Sequence, residues 1–568
     1  MTALRQALAR RGVRRALTAL AVLALCCAGA VGLVYYWRVF YSYGLFPFAY
    51  VPAPVLTAAL AALAALGACL VWAAHRFLQR FEQKAAVAIL CSALLFVFVN
   101  PPLQSPDEGT QFLRTYAISL GRLDCDANRS YPDDVNALFT AFGAAWTHSH
   151  DGSTIKARVP DGVDPGLAGA EQTVAGECIS NSYLDYYAML RGDADTIIAY
   201  AESSGLRTQT EPVHFLVLPH LLQGIGVALV RLLGASALGC LYAARAVNAM
   251  IYTLLCCFAL KNCNRYAPVF TAAMLLPLCL FMAGSCNYDG ILLGIYFFAA
   301  SYYCKNEITG RDVWLFALAF GVMTWIKPNN LLWLALPLVL PRPAWKTRFK
   351  KWHAAVLSLA SYFVFNQLYS LYARFFVHNY GEIGRMIEGV SQSGQLRFML
   401  ANPVRTIAVF LGTLYENNFF LDGLGKFGNV DLVIPVVSAA SAAALLLGAA
   451  LSVHERSSLT RRSAAGLFCL AVVYAGVVMA GLYITYTPVA MARVIGLQTR
   501  YFIPTYLMLC VLAAALLSGV LSPRFERSGG DTLARSVALG VSCTLAAVSA
   551  VLLFQHYFVG PVTILGYN

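Results

Sequence analysis

The sequence is poor in charged residues, and this shortage excludes most soluble proteins. Only 12% of its 568 residues are Asp, Glu, Lys or Arg, and 59% are hydrophobic. Soluble globular domains carry about 25% charged residues. Runs of about 20 apolar residues, the length that crosses a bilayer as a helix, recur along the chain. These proportions predict an all-α polytopic membrane protein.

Several sequence motifs are missing, and each absence removes a class of function. The chain has no P-loop and no GxSxG motif, which removes ATP-driven pumps and serine hydrolases. No pair of CxxC motifs offers a zinc site, and "THSHDG" (His148, His150, Asp151) is interpreted as a solvated turn, although metal binding there stays open. Most of the 16 cysteines lie in apolar runs. Cys125 and Cys178 instead share a polar loop, where they form either a disulfide or two free thiols.

Acidic residues are scarce except in one long loop. Residues 101–212 hold 16 Asp and Glu against seven Lys and Arg, which leaves 12 acids and 34 bases in the rest of the chain. Those bases gather in short connections between apolar runs, and short basic loops stay in the cytoplasm. The net charge of +13 is therefore a topology signal that excludes nucleic acid as a partner. It places the protein in the plasma membrane, with the N-terminus inside and the acidic loop outside.

The apolar runs predict about 11–14 transmembrane helices and five parts of the chain. A loop as long as 101–212 predicts a mostly helical domain of its own outside the cell. The runs 213–233 and 403–420 are interrupted, so we expect interfacial or re-entrant helices there, although either could span. The predicted parts are an N-terminal transmembrane hairpin (1–83), a transmembrane helix (84–100), the extracytoplasmic domain (101–212), a transmembrane core (213–520) and a C-terminal helix with its tail (521–568).

Polar residues mark the predicted outer ends of the helices. Asp107 and Glu108 follow Pro106, which ends the preceding helix. Arginine and lysine near the outer leaflet suit a lipid-linked phosphate, and a carboxylate suits removal of a proton from an attacking hydroxyl. Together they describe group transfer from a lipid phosphate donor. The cations and anions that reach this face from separate segments are Arg114, Asp289, Lys327 and Arg500.

Each of these residues also has a structural interpretation. Asp107 is a favoured type of residue for capping the first helix of the outside loop. Arg500 and Lys327 could pair with Asp289 or Asp431 only to hold the fold together. Asp107 and Glu108 could tune each other's proton affinity or share a metal ion.

Seven stretches resemble one family in its order along the chain. They are "PPLQSPDEGTQFLRTYAISLGRL", "GASALGCLYAARAVNAMIY", "SCNYDG", "WIKPNN", "RFMLANPVRTIAVFLGTL", "GLGKFGNVDLVIP" and "GLQTRYFIP". The chain resembles the bacterial membrane-protein family domain of unknown function 2142, which is related to the GT-C glycosyltransferases. The stretch around Asp107 and the stretch around Arg500 are the most specific.

The resemblance implies a GT-C-like fold and an inverting glycosyltransferase. Its implied partners are a polyprenyl-phosphate sugar as donor, a cell-envelope glycan, lipid or protein as acceptor, and membrane lipids. No cofactor is certain, and a divalent metal stays open. The chain departs from the GT-C pattern in having two spans before the one that leads into the loop. The resulting site is Asp107 and Glu108 as catalytic residues, Arg500, Lys327 and Arg114 as donor-phosphate ligands, and Asp289, Asn287, Gln498 and Tyr501 as substrate-binding residues.

Two other classes of function fit parts of the pattern. A transporter or flippase of lipid-linked glycans predicts charges near mid-helix and repeat symmetry, whereas here the charges crowd the helix ends. A non-enzymatic envelope assembly factor explains a large outside domain, but it gives no reason for the acidic pair behind Pro106.

Overall fold

The computed structural model describes most of the chain from residue 77 onward. The described residues are 77–100, 102–126, 128–142, 156–158, 171–173, 217–341, 344–378, 389–416, 419–428, 432–452, 460–525 and 530–554. The predicted N-terminal hairpin, the "THSHDG" stretch and Cys178 lie outside these residues, so the metal at that stretch and the Cys125–Cys178 disulfide stay predictions. Asp431 also lies outside them.

Helices make up 79% of the described residues, which confirms the predicted all-α polytopic class. In chain order they are α1 (Phe81–Val99), α2 (Glu108–Ser119), α3 (Asp133–Phe142), α4 (Val217–Leu232), α5 (Ala237–Asn262), α6 (Ala267–Met274), α7 (Pro277–Ala283), α8 (Tyr288–Ser301), α9 (Gly310–Ile326), α10 (Leu336–Val339), α11 (Lys351–Phe376), α12 (Gln392–Ala401), α13 (Pro403–Glu416), α14 (Phe419–Asp422), α15 (Pro435–Leu451), α16 (Arg461–Tyr486), α17 (Ile503–Phe525) and α18 (Gly530–Phe554). Short 3₁₀ turns occupy Asn264–Tyr266, Tyr302–Cys304, Pro328–Ala335, Gly423–Gly425 and Thr499–Phe502.

The strands of the described residues form four isolated two-stranded pairs. β1 (Cys125–Asp126) pairs in parallel with β6 (Val377–His378), and β4 (Glu307–Thr309) pairs in parallel with β5 (Ala344–Lys346). The antiparallel pairs are β2 (Lys156–Arg158) with β3 (Glu171–Thr173), and β7 (Lys426–Phe427) with β8 (Leu432–Val433). The β2–β3 pair lies inside the loop that was predicted to be mostly helical. The domain boundaries around that loop stay predictions.

Six helices of the described part are long and apolar enough to cross a membrane, or eight spans if each of two bent pairs counts as one. The six are α1, α5, α11, α16, α17 with the turn before it, and α18. One bent pair turns by 71° where Pro277 begins α7, and the other by 108° where Pro403 begins α13. Proline cannot donate the backbone hydrogen bond that would continue a helix. The second bend fits the re-entrant or interfacial segment expected at 403–420.

The apolar core lies where α5 meets α1, α4 and α8, and where α6 meets α15 and α18. Ser236 caps the N-terminus of the long helix α5, because its hydroxyl accepts a hydrogen bond from Gly239 N at 3.3 Å. Helix α2, the first element of the polar loop, packs against α4 and is itself largely buried. The start of the loop is therefore part of the helix bundle, and it carries Asp107 and Glu108 to the end of α1.

Candidate active site

Asp107 occupies the turn between α1 and α2 in an unusual backbone conformation. It is the N-cap residue of α2 with φ +62°, and its side chain makes no capping hydrogen bond. Among non-glycine residues, Asp and Asn tolerate this left-handed conformation best. Its side chain is 58% exposed. The carboxylate is therefore accessible at the turn. It does not cap α2, which was the alternative role expected for Asp107.

Glu108 points the opposite way and is completely buried. Its Oε1 accepts from Arg245 Nε at 2.7 Å, and its Oε2 accepts from Arg245 Nη2 at 2.6 Å. The backbone N–H of Cys286 also donates to Oε1, at 2.7 Å. Both side chains of this pair are 0% exposed. Because both oxygens already accept charge-assisted or backbone hydrogen bonds, Glu108 cannot share a metal ion or a proton with Asp107.

Arg245 completes this buried pair from the apolar interior of α5. Besides Glu108, its Nη1 donates to Val97 O at 3.0 Å and to Asn100 O at 2.5 Å. Those carbonyls lie at the C-terminal end of α1, where a helix leaves carbonyl groups without intrahelical partners. Arg245 therefore fastens the end of α1 to the start of α2 with Glu108 as its partner, and a catalytic role of Glu108 stays a prediction.

Asp289, Lys327 and Arg500 form a second charged cluster. Asp289, in the first turn of α8, accepts from Lys327 Nζ through Oδ1 at 2.7 Å and pairs through Oδ2 with Arg500 Nε at 2.6 Å. Lys327 follows the last residue of α9, and Arg500 lies in the 3₁₀ turn before α17. One buried carboxylate thus holds two cations from distant segments, as the structural interpretation of these residues expected.

Aromatic rings and the carboxylate keep these cations charged. Lys327 Nζ lies 4.3 Å from the ring centre of Tyr501 and 5.3 Å from that of Tyr288. Burial lowers the pKa of the Lys327 ammonium, but Asp289, Tyr288 and Tyr501 together raise it by more, so the pKa lies above its usual value. The hydroxyl of Tyr501 accepts from Arg500 Nη2 at 3.3 Å. Lys327 is therefore a fixed cation and no candidate for a base.

Arg500 joins Asp107 to this cluster. Its Nη2 lies 3.4 Å from Asp107 Oδ2, and its own side chain is only 4% exposed. Four segments that are far apart in sequence thus meet at one end of the helix bundle, as expected for residues on a common membrane face. Which face that is stays a prediction.

Two clefts lie on either side of Arg500. The first cleft, of about 280 Å³, contains Asp289, Lys327 and three tyrosines. The second cleft, of about 290 Å³, contains Pro106 and a second cation, Lys426. The first is lined by Asp289, Leu292, Leu293, Tyr296, Lys327, Asn329, Tyr474, Arg500 and Tyr501. The second is lined by Pro106, Leu278, Phe281, Met282, Lys426, Gly428, Gln498, Thr499 and Arg500.

The remaining predicted residues divide between the clefts and the scaffold. Tyr501 lines the first cleft and Gln498 the second, consistent with substrate-binding positions. Asn287 instead caps α8, accepting from Gly290 N at 3.0 Å. Arg114 is buried away from both clefts and donates to Leu123 O at 2.7 Å, to Asp124 O at 2.9 Å and to the hydroxyl of Tyr372 at 2.7 Å. Neither Arg114 nor Asn287 lines one of the two clefts, and their predicted roles in binding stay predictions.

Arg245 and Lys426 were not among the site residues predicted from the sequence. Arg245 is a charged residue inside the apolar run of α5, and such residues are expected to have a buried partner or a function. Lys426 stood in the quoted stretch "GLGKFGNVDLVIP", yet nothing local distinguishes it from a basic loop residue. For divalent metals, no group of three His, Cys, Asp or Glu side chains occurs within the described part of the chain.

The comparisons with known proteins give one match. No curated protein and no solved structure matches the chain. A family model described as a predicted membrane protein (DUF2142) matches residues 90–509. This range contains both clefts, the Glu108–Arg245 pair and the contacts of Arg500 with Asp107 and Asp289. Since this range is well over half of the sequence, the chain belongs to the DUF2142 family of membrane proteins.

Proposed function

We propose that this protein is a membrane glycosyltransferase that moves a sugar from a polyprenyl-phosphate donor to a cell-envelope acceptor on the outer face. The observation that carries the proposal is the contact of an exposed carboxylate, Asp107, with a buried guanidinium, Arg500, at 3.4 Å between two clefts. A proton acceptor and a phosphate ligand stand side by side there. That combination serves a reaction with a hydroxyl nucleophile and a phosphate leaving group.

Asp107 is the general base of the proposed reaction. The acceptor hydroxyl oxygen attacks the anomeric carbon of the sugar while its proton passes to the Asp107 carboxylate. The bond between the anomeric carbon and the phosphate oxygen breaks, and the polyprenyl phosphate leaves with the bonding electrons. A single displacement of this kind inverts the anomeric centre. The 58% exposure of the side chain gives an acceptor access to the carboxylate.

Arg500 is the ligand of the departing phosphate. A planar guanidinium binds two phosphate oxygens at once, which a lysine ammonium cannot do. Asp289 holds the group through Nε at 2.6 Å, while Nη2 lies 3.4 Å from Asp107 Oδ2 and 3.3 Å from the Tyr501 hydroxyl. Since Lys327 is bound to the same carboxylate, its role is to set the charge and position of Asp289 and Arg500.

The experiment uses full-length protein in nanodiscs, a panel of synthetic polyprenyl-phosphate sugars and a cell-envelope extract as the source of acceptor. We expect release of polyprenyl phosphate together with a glycosylated product, both detected by mass spectrometry. Asp107→Asn should bind donor and release none. Movement of an intact lipid-linked sugar across the bilayer, with no cleavage of the glycosyl bond, would replace the proposal with the flippase alternative. Absence of any polyprenyl lipid among the lipids that co-purify with the protein would argue against both.

A further inference from the structure

The second cleft carries a pair of cations without a carboxylate on its walls. Lys426 and Arg500 both line it, together with the polar side chains of Gln498 and Thr499. None of the lining residues is acidic. The first cleft differs, because its lysine, Lys327, already has Asp289 as a partner at 2.7 Å. The positive charge that no carboxylate of the cleft wall balances therefore lies in the second cleft.

Lys426 is partly buried at the start of β7, and it makes no ion pair with any residue that the structure describes. Removing an ammonium group from water without pairing it costs free energy, so such groups are rare unless a ligand supplies the charge. The charge of Lys426 in this cleft is thus not balanced by a carboxylate of any residue that the structure describes.

Glycines bring the two cations together. A Cβ atom at Gly423 would lie 2.5 Å from Thr499 Oγ1, so only glycine allows the turn before Lys426 to pack against the turn that carries Arg500. A Cβ at Gly425 would collide with the carbonyl oxygen of Ile434. The two 3₁₀ turns are therefore locked to each other, and the positions of Lys426 and Arg500 are fixed before any ligand arrives.

The opposite wall of the second cleft is apolar. Leu278, Phe281 and Met282 line it, and they belong to α7 at the end of the first bent helix pair. A ligand that fills this space needs an anionic end for the cations and an apolar portion for this wall. Inorganic phosphate satisfies only the first requirement, whereas a phosphate monoester of an apolar alcohol satisfies both.

We infer that the second cleft is the subsite for the phosphate of an amphiphilic lipid phosphate, with Lys426 and Arg500 as its ligands. The inference rests on the proposed function, and it gives Lys426 the place beside Arg500 that the sequence analysis predicted for Lys327. Pro106 lines the same cleft and directly precedes Asp107. A phosphate bound between Lys426 and Arg500 thus places the bond to be broken next to the proposed base.

The first test measures binding to purified full-length protein in detergent with farnesyl phosphate, inorganic phosphate and farnesol as probes. We expect farnesyl phosphate to bind, and Lys426→Gln to weaken its binding by about tenfold or more, the loss expected for a charge-assisted hydrogen bond. Lys426→Arg should remain within about threefold of wild type. The matched control is Lys346→Gln, which removes an exposed lysine paired with Glu307 and should leave binding unchanged.

Several outcomes would overturn the inference. Equal affinity of wild type and Lys426→Gln for farnesyl phosphate would exclude Lys426 as a ligand. If inorganic phosphate bound as tightly as farnesyl phosphate, the cleft would take free phosphate and not a lipid phosphate. If farnesol bound as tightly, the cations would contribute nothing.

A second measurement needs no variant of Lys426 and therefore does not depend on its folding. Wild-type protein is acetylated with a water-soluble amine reagent, with and without farnesyl phosphate, and labelling at each lysine is read by mass spectrometry. We expect protection of Lys426 and unchanged labelling of Lys346; equal labelling of Lys426 in both samples would overturn the inference. These binding tests are independent of turnover. Phosphate binding without sugar transfer would defeat only the proposed function, and sugar transfer unaffected by Lys426→Gln would defeat only this inference.

Discussion

Two adjacent carboxylates meet two arginines in opposite environments. Glu108 and Arg245 are both 0% exposed and are joined by two hydrogen bonds of 2.6 and 2.7 Å. Asp107 and Arg500 approach only to 3.4 Å, and the aspartate is 58% exposed. The first pair has no capacity left for a ligand. The second has a carboxylate open to the surroundings and a guanidinium that faces two clefts.

The difference follows from the direction in which the backbone carries each side chain. Glu108 begins α2 and points into the bundle, where Arg245 and the N–H of Cys286 surround it. Asp107 precedes it with φ +62°, and this left-handed turn points its side chain away from the helix. The buried pair therefore fixes the turn, and the exposed residue beside it is free for chemistry. Two neighbouring residues of the same charge thus differ in their surroundings: Glu108 supports the fold, and Asp107 is the proposed base.

The largest expected effect comes from breaking the buried pair. Glu108→Ala leaves Arg245 without its carboxylate, and removing one partner of a buried ion pair costs about 3–5 kcal/mol. We expect little folded protein in the membrane and a large fall in the thermal midpoint measured in detergent. Glu307→Ala is the matched control, since it breaks an exposed pair with Lys346, and exposed pairs contribute about 1 kcal/mol or less. Equal midpoints for the two variants would mean that the buried pair does not hold α1 to α2.

The next largest effect is expected when Asp107, the proposed base, loses its ability to accept a proton. Asp107→Asn keeps the shape and the tolerance for a left-handed backbone but removes the proton acceptor. We expect about a 10²–10⁴-fold loss of sugar transfer with little change in the thermal midpoint or in donor binding. Glu307→Gln, an amide substitution at an exposed carboxylate, should keep full activity. Full transfer activity of a well-folded Asp107→Asn protein would show that the base lies elsewhere.

A smaller effect is expected when Arg500 keeps its charge but loses its shape. In Arg500→Lys an ammonium group cannot contact Asp289 and bind two phosphate oxygens at the same time. We expect donor affinity to fall by roughly tenfold, the equivalent of one charge-assisted hydrogen bond, while the protein stays folded. Arg129→Lys is the control, because it alters a two-point arginine–aspartate pair near the surface, and neither residue of that pair lines a cleft. Unchanged donor affinity in Arg500→Lys would remove the proposed phosphate ligand.

Apolar runs were sufficient to predict most of the helices. The transmembrane helix predicted at 84–100 is α1 at Phe81–Val99. The apolar run 403–420 was predicted to be interrupted, and the chain bends by 108° where Pro403 begins α13. These features depend on composition and on neighbours along the chain, so they can be read without knowledge of the fold.

The pairing of charges could not be predicted in the same way. Asp107, Asp289, Lys327 and Arg500 were all expected at one membrane face, and their contacts agree with that expectation. Which carboxylate faces which cation depends on helix rotation and on a single backbone dihedral. Glu108 and Arg245 are 137 residues apart, and nothing local indicates that they meet. For the same reason Arg114 resembled a phosphate ligand, although the fold uses it to bind backbone carbonyls.

The smallest expected effect concerns stability: the left-handed backbone at Asp107 should cost the folded protein some free energy of unfolding. A left-handed backbone costs roughly 1–2 kcal/mol for an ordinary L-residue, less for Asp, and nothing for glycine. Asp107→Gly should therefore unfold at a temperature equal to or above that of the wild type, and Asp107→Ala should unfold below both. The contact that these variants lose, with Arg500 at 3.4 Å, is long and half-exposed, so it contributes little.

The control for this prediction reverses the change at another left-handed turn. Gly121 has φ +77°, and a Cβ there would meet nothing within 4 Å, so Gly121→Ala isolates the backbone term and should lower the midpoint. Both Asp107 variants should lose sugar transfer to the same extent, since neither has a carboxylate. A gain in stability with a loss of activity in Asp107→Gly would indicate that Asp107 is retained for its chemistry against the preference of its backbone. A thermal midpoint of Asp107→Gly below that of Asp107→Ala would contradict this account of the turn, because the two variants differ mainly in the cost of that dihedral.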